Sequence, residues 1–324
     1  MPGRSLQWRL HEASRRTLAF LARDQTPRGE FPTYASRHED FTPRRRLPTC
    51  VYPTTFVLHT LARTRPTPAV RRMIHGGVRF LRSQQEAGGV WHYLGRGEQP
   101  YPCDLDDTSC AVAALAHLGI APPRSFLSLL DTQQVAEGGP HATWIGVDDR
   151  SYPHLVGEVD SLVNANILHC VGRLGRSLPG TAAYLAEIVE TGDYRRDNRY
   201  SLSPHFLIYA IARATAISRA PNLLAQRSRL VDHITDGMPP RRQRSAVELA
   251  FLAAALLYSE ATPQHVIPYA EALLETQRDD GSWPIAAVNW GLLDERDSSP
   301  AMIAALALEV FGGLGGRTSK PRGG

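Results

Sequence analysis

A short pattern recurs along this chain: a leucine, a glutamine four residues later, a glycine four beyond that, and an aromatic two further on. Residues 17–31 read TLAFLARDQTPRGEF, 77–91 read GVRFLRSQQEAGGVW and 269–283 read YAEALLETQRDDGSW. They align Leu21, Leu81 and Leu273, then Gln25, Gln85 and Gln277, then Gly29, Gly89 and Gly281, then Phe31, Trp91 and Trp283. A degenerate fourth copy runs through Leu130, Gln134 and Gly138, with Trp144 displaced. Recurrence at a fixed spacing marks an array of one supersecondary unit. In each unit the apolar residues fall at helical spacing and predict an amphipathic helix. The glycine is expected to stop that helix in the left-handed conformation at its C-terminal cap. The glutamine can bond the freed backbone groups, and the aromatic can pack over the turn.

After each copy comes a more apolar segment rich in small residues, at 54–62, 107–119, 160–175 and 300–313. Between the clear copies lie pairs without the signature, 181–190 with 204–214 and 223–235 with 246–261. The whole predicts an all-α chain of about six helix pairs over residues 1–315, with 316–324 as a flexible tail. Apolar helices suit an inner ring and those with Arg, Glu and Gln faces an outer one. Six pairs suffice to close an (α/α)6 barrel. No convincing period-2 run argues for strands. In such a ring every inner helix begins at the same end. The stretches 49–55, 102–109, 152–166, 200–206, 244–248 and 290–300 therefore converge on one mouth.

Composition narrows the partners. At 43% hydrophobic and 21% charged, the chain can bury a large core. Its net charge is +4, with Lys320 as the one lysine. Arg44-Arg45-Arg46 and Arg241-Arg242 are short basic clusters in Pro-flanked segments, read as solvated loops or anion contacts. No basic, aromatic-interleaved stripe of the nucleic-acid-binding kind occurs. Cys50, Cys103, Cys110 and Cys170 lack CxxC spacing and fit reduced thiols of a cytoplasmic protein. No run of apolar residues is long enough to span a bilayer, which leaves peripheral membrane contact open.

These residues carry a family likeness. The Leu-Gln-Gly-aromatic segments resemble the QW motifs of squalene-hopene and oxidosqualene cyclases. Asp104-Leu105-Asp106-Asp107-Thr108 is similar to the DxDD-Thr motif of class II terpene cyclases, at the start of an inner helix of their toroid. The toroid is shared with protein prenyltransferase β-subunits. The resemblance implies a proton-initiated cyclisation of an isoprenoid, with Asp106 as general acid and Asp104 and Asp107 as its hydrogen-bonding neighbours. It implies no required cofactor, Mg²⁺ entering only with a prenyl diphosphate substrate. The full cyclases enclose substrate between two helical domains, so a single ring is expected to leave its cavity open, to bind a shorter substrate, or to close the cavity with a second copy or a partner domain.

The chemistry fits the residues. Protonating an alkene or epoxide needs an acid held neutral, and three carboxylates within four residues keep at least one proton above the usual ~3.9. One N-terminal aspartate would serve capping and the helix dipole, two at most, and three are present. Substrate-binding candidates are Trp91, Tyr152, Asn164, His205, Phe206 and Trp290, with Trp144 and Trp283 as further aromatics for cation stabilisation. Asp160, Asn164 and Asn166 follow on the next inner helix as acid-orienting or capping groups. His154, His205 and Glu248 also lie near inner-helix starts. Two other readings share the architecture. A zinc-dependent prenyltransferase-like subunit would recruit Cys103, Asp104 or His169-Cys170. A glycoside hydrolase would use paired carboxylates. A third is a non-catalytic binding module.

Overall fold

The structure is a computed structural model, and it describes residues 5–97, 101–236, 244–291 and 295–318. Arg241-Arg242 and residues 319–324 lie outside the described residues. Thirteen helices and four short strands are present among them: α1 Leu6–Asp24, β1 Tyr34–Ser36, β2 Arg45–Arg46, α2 Tyr52–Leu61, α3 Pro68–Ser83, α4 Leu105–His117, α5 Phe126–Thr132, α6 Ser161–Arg173, α7 Pro179–Thr191, α8 Pro204–Ser218, α9 Pro221–Ala225, α10 Arg227–Thr235, α11 Ala246–Tyr258, α12 Pro263–Thr276, β3 Asn289–Trp290, β4 Arg296–Ser298 and α13 Pro300–Thr318.

The inner ring is α2, α4, α6, α8, α11 and α13, each packed on the next, and α13 returns to α2. The outer helices α1, α3, α7 and α12 pack against it, and α9 and α10 together fill a fifth outer position. The short α5 fills the sixth, burying Phe126 and Leu130 in the cluster that holds Ala111 and Val112 of α4. The expected (α/α)6 barrel of six pairs is therefore closed. Inner helices earn their place by composition. Ala246–Tyr258 has no polar stripe, and ten of its residues from Ala246 to Leu256 are buried. The outer α3 instead buries one face through Val70, Met73, Gly76, Gly77, Phe80 and Leu81. Among the described residues no helix is long and apolar enough to cross a membrane.

The repeat is a joint between neighbouring outer helices. Gln25 Nε2 donates to the Gly29 carbonyl of its own turn (3.0 Å) and to the Met73 carbonyl of α3 (2.9 Å). Gln277 Nε2 does the same at the other end of the chain, to the carbonyls of Gly281 (3.2 Å) and of Ala13 in α1 (3.2 Å). The last joint thus lands on the first helix. The indole N–H of Trp91 donates to Leu81 O (2.8 Å) and that of Trp283 to Leu273 O (2.9 Å), which ties aromatic to leucine within one copy. The backbone N–H groups of Phe31 and Trp91 reach the hydroxyls of Thr54 and Thr108 on the following inner helices, each at 3.1 Å.

One part of the expectation is corrected. The helices end at or just before the glutamine, so the glycine is not their cap. It sits four residues later, in a turn closed by Gly29 N–H on Thr26 O and Gly281 N–H on Arg278 O. The physical reason is contact as well as conformation. Gly281 has φ +88°, and a Cβ there would lie 2.3 Å from the Arg16 carbonyl oxygen. Gly281→Ala should therefore lower stability by about 2 kcal/mol or more, read as a shift of the denaturant midpoint without a change in slope.

Two further differences concern local structure. The segment 223–235 is broken at Gln226 into α9 and α10. Strands also occur, as a small antiparallel sheet of order β2-β1-β4-β3. Strands of two or three residues are too short to show a period-2 pattern. The sheet pairs Ala35 with Asp297 and Asn289 with Asp297, and so holds Asp297 among the buried residues of the mouth.

Candidate active site

Asp104 is the N-cap of α4, its Oδ1 accepting the Asp107 N–H at 2.7 Å. Capping accounts for Asp104 alone. Its side chain also bonds that of Asp107, burial and the charge of Asp104 hold the Asp107 carboxyl well above the usual range, and Asp107 is the proton-bearing partner. Burial moves Asp104 itself up to about 6.

Asp106 points the other way, into a cavity of about 350 Å³. Its Oδ1 accepts from Asn166 Nδ2 at 2.6 Å, and the Tyr52 hydroxyl also bonds it. Burial, with the nearby charge of Asp104, raises it to about 7, against the opposing pull of Asn166, Tyr52 and Arg213. Asp106 thus presents to the cavity a carboxyl group that holds its proton up to about pH 7. The amide donor on Oδ1 leaves Oδ2 as the oxygen available to carry a proton.

Behind Asn166 lies a polar column along the barrel interior. Asn166 Oδ1 accepts from the buried Arg213 at 2.6 Å, which settles which end of the amide faces Asp106. Arg213 also lies 3.4 Å from the Tyr209 hydroxyl, which donates to Glu309. Arg63 binds the same carboxylate at 3.0 Å, and His59 and Tyr258 complete the cluster. The guanidinium of Arg213 stands 5.0 Å from the Phe56 ring centroid and 5.1 Å from that of Tyr209.

The cavity floor is Tyr52, Leu162, Val163 and the three aspartates, and its wall is Tyr93, Thr143, Leu155 and Trp144. Tyr101 and Trp290, both more than 40% exposed, mark the rim. Glu158 accepts from Trp144 Nε1 at 2.9 Å and from the Tyr200 hydroxyl, all three lining the cavity. Trp144, displaced from its place in the fourth repeat, is thereby free of the joint and forms cavity wall. Its backbone bridges that of Asp104.

The sequence candidates divide sharply. Asp104, Asp106, Asp107, Trp290 and His154 line the cavity. Trp91 is fully buried in the repeat joint and Trp283 nearly so, so neither reaches it. Tyr152 is half-buried in the loop before α6 and does not line the cavity. Phe206 stacks on Phe251 at 4.5 Å, one layer behind Tyr52, whose ring centre is 6.3 Å away. Asn164 ties His141 and Asp160 backbone atoms together, and Asp160 caps α6 through Leu162 and Val163 N–H. His205 pairs with Glu248 at 3.1 Å, not with the acidic motif. Sequence reasoning missed Tyr52, Tyr93, Glu158, Tyr200, Arg213 and Asp297. Asp297 is lifted to about 7 by burial while Tyr93 (2.6 Å) and Asn289 donate to it. Among the described residues no group of three His, Cys, Asp or Glu is placed to hold a metal ion. Cys50, Cys103, Cys110 and Cys170 are free thiols.

No family model and no curated protein matches the chain. Solved structures do match its fold. The type II terpene cyclase MstE from Scytonema superposes with a TM-score of 0.69 at 15% identity, covering 96% of this chain and 99% of that one. A variant of that enzyme in complex with geranylgeranyl dihydroxybenzoate gives 0.70 at 16%, covering 96% and 98%. The ent-copalyl diphosphate synthase from Streptomyces platensis gives 0.54 at 21%, over 82% of this chain and 50% of that one. The fold is the helical toroid of class II terpene cyclases.

Proposed function

We propose that the chain is a proton-initiated isoprenoid cyclase in which Asp106 is the general acid. The observation that supports this most is a single arrangement: a carboxyl group held protonated to about pH 7 by burial, fixed by Asn166 and Tyr52, at the floor of an aromatic-lined cavity. Asp106 Oδ2–H would give its proton to one carbon of a terminal alkene, or to an epoxide oxygen. The electron pair of that bond takes the proton and leaves a carbocation at the more substituted carbon. A neighbouring alkene then attacks the cation, closing a ring. Loss of a proton from the last cation restores neutrality, so the net change is an isomerisation.

Each surrounding group has a part in that step. The Asp106 carboxylate left behind keeps its bonds from Asn166 and Tyr52, with the positive charge of Arg213 beyond the amide. Tyr52, Tyr93, Trp144 and Tyr200 present ring faces that stabilise cationic charge by about 0.5–2 kcal/mol each. The apolar side chains of the lining, Leu155, Leu162 and Val163 among them, limit the water that would quench the cation.

Incubation with isoprenoids of several lengths should yield cyclic products, and the pH dependence checks the acid. The acid must be protonated to act, so the rate should be full below the folded-state value and fall as pH rises through about 7. A rate that is flat or rises across that range would overturn the role of Asp106.

A further inference from the structure

We infer that the substrate of this site carries an uncharged, hydrogen-bond-donating head group of the phenol type, not a diphosphate, and that Glu158 receives it. The inference rests on the cyclase reading and names its substrate class. Its ground is the charge and chemistry of the cavity wall. The ionisable acids lining the cavity are Asp104, Asp106, Asp107 and Glu158, and among the described residues no arginine or lysine lines it. A diphosphate needs several charge-assisted donors to replace its water. His92 and His154 are the basic side chains that the described lining offers. Arg296, which stacks on the rim residue Trp290 at 5.5 Å, has its guanidinium taken up by Glu39 (3.2 Å) and the Arg37 carbonyl (3.3 Å).

Glu158 is built as an acceptor. Its Oε1 takes the Trp144 indole and the Tyr200 hydroxyl, which fix the carboxyl group against the wall, while Oε2 keeps its acceptor capacity. The surroundings are aromatic. Tyr101 lies 5.8 Å from Trp144 at 30°, and Tyr200 stands edge-on to Trp144 at 5.9 Å. A planar head with an O–H donor uses both features, the ring faces for stacking and the carboxyl group for its proton. The isoprenoid tail then runs down to the buried floor at Asp106, since Tyr101 and Trp290 are exposed and Tyr52, Asp104 and Asp107 are buried.

The test is equilibrium binding to the full-length Asp106→Asn protein, followed by quenching of tryptophan emission. The probes are geranylgeranyl phenol and geranylgeranyl diphosphate in matched micelles. The phenol should bind at least about tenfold more tightly, Glu158→Gln should remove about tenfold of that affinity, and Glu158→Arg should invert the preference. Equal or tighter binding of the diphosphate overturns the inference. Were that binding lost in Arg241→Ala/Arg242→Ala, a phosphate site would be placed on that segment instead. Failure of both probes to bind overturns it too. Turnover by the wild-type protein separates the two readings. Phenol binding without cyclic product leaves the head-group assignment and removes the cyclase. Cyclisation of the diphosphate that needs Asp106 does the reverse.

Discussion

Asp106→Asn should lower cyclic-product formation by about 10³-fold while leaving the fold and substrate binding in place. The amide is nearly isosteric with the neutral acid, and it can still accept from Asn166 Nδ2, as Asp106 Oδ1 now does at 2.6 Å. What it lacks is a proton it can lose. The effect should be on the maximal rate and not on the substrate concentration for half-saturation, because the contact is made equally in both states except for the transferred proton. Asp107→Asn is the informative control. Asp107 is paired with Asp104, and that change should act through the charge next to the acid. Product formed equally well by wild type and Asp106→Asn would sink the general-acid assignment.

Arg213→Met should have the second largest effect, and it should act at a distance. Arg213 touches no cavity residue except through Asn166, whose Oδ1 it holds at 2.6 Å. Without it the amide loses the bond that decides which end faces Asp106, and a flipped Asn166 would oppose an oxygen to the carboxylate formed in the first step. Arg213 also lowers the Asp106 value, so its loss should leave the acid weaker and carry the descending limb of the rate profile to higher pH. We expect a fall of about 10²-fold in the maximal rate together with that shift. A purely structural role would lower the amount of folded protein without moving the limb. The buried Tyr209 and Asn166 would each lose a hydrogen bond and Glu309 a nearby positive charge, at a cost of about 3 kcal/mol. Arg213→Lys keeps the charge with fewer donors, and should retain the limb near its wild-type position while losing part of the rate. An unmoved limb in both variants would remove Arg213 from the mechanism.

How far these residues could be read from the chain depends on the range of the interaction. The barrel was legible because its joints are local: Gln25 to Gly29 and Trp91 to Leu81 lie within one repeat, so their spacing is printed in the sequence. The acidic motif was legible for the same reason, since capping and pairing occur within Asp104-Leu105-Asp106-Asp107. Partners supplied by other helices were not. Asn166 is 60 residues from Asp106, and Arg213 a further 47 beyond it. Arg213 sits in an apolar helix among many arginines, and nothing local marks it as buried. Glu158 and Tyr200 lie in irregular segments with no periodicity to read. Trp91 misled in the opposite direction, because the position that makes it recognisable in the repeat is also what keeps it from the cavity.

The last joint has a consequence for how this molecule comes apart. An open array of helix pairs has two free ends, and it can fray inward from either one repeat at a time. Here Gln277 reaches back to Ala13 and α13 packs on α2, so the array has no end from which to start. Every pair is supported from both sides. Loss of one joint therefore does not release its neighbours in sequence, and the ring should yield as a whole or not at all.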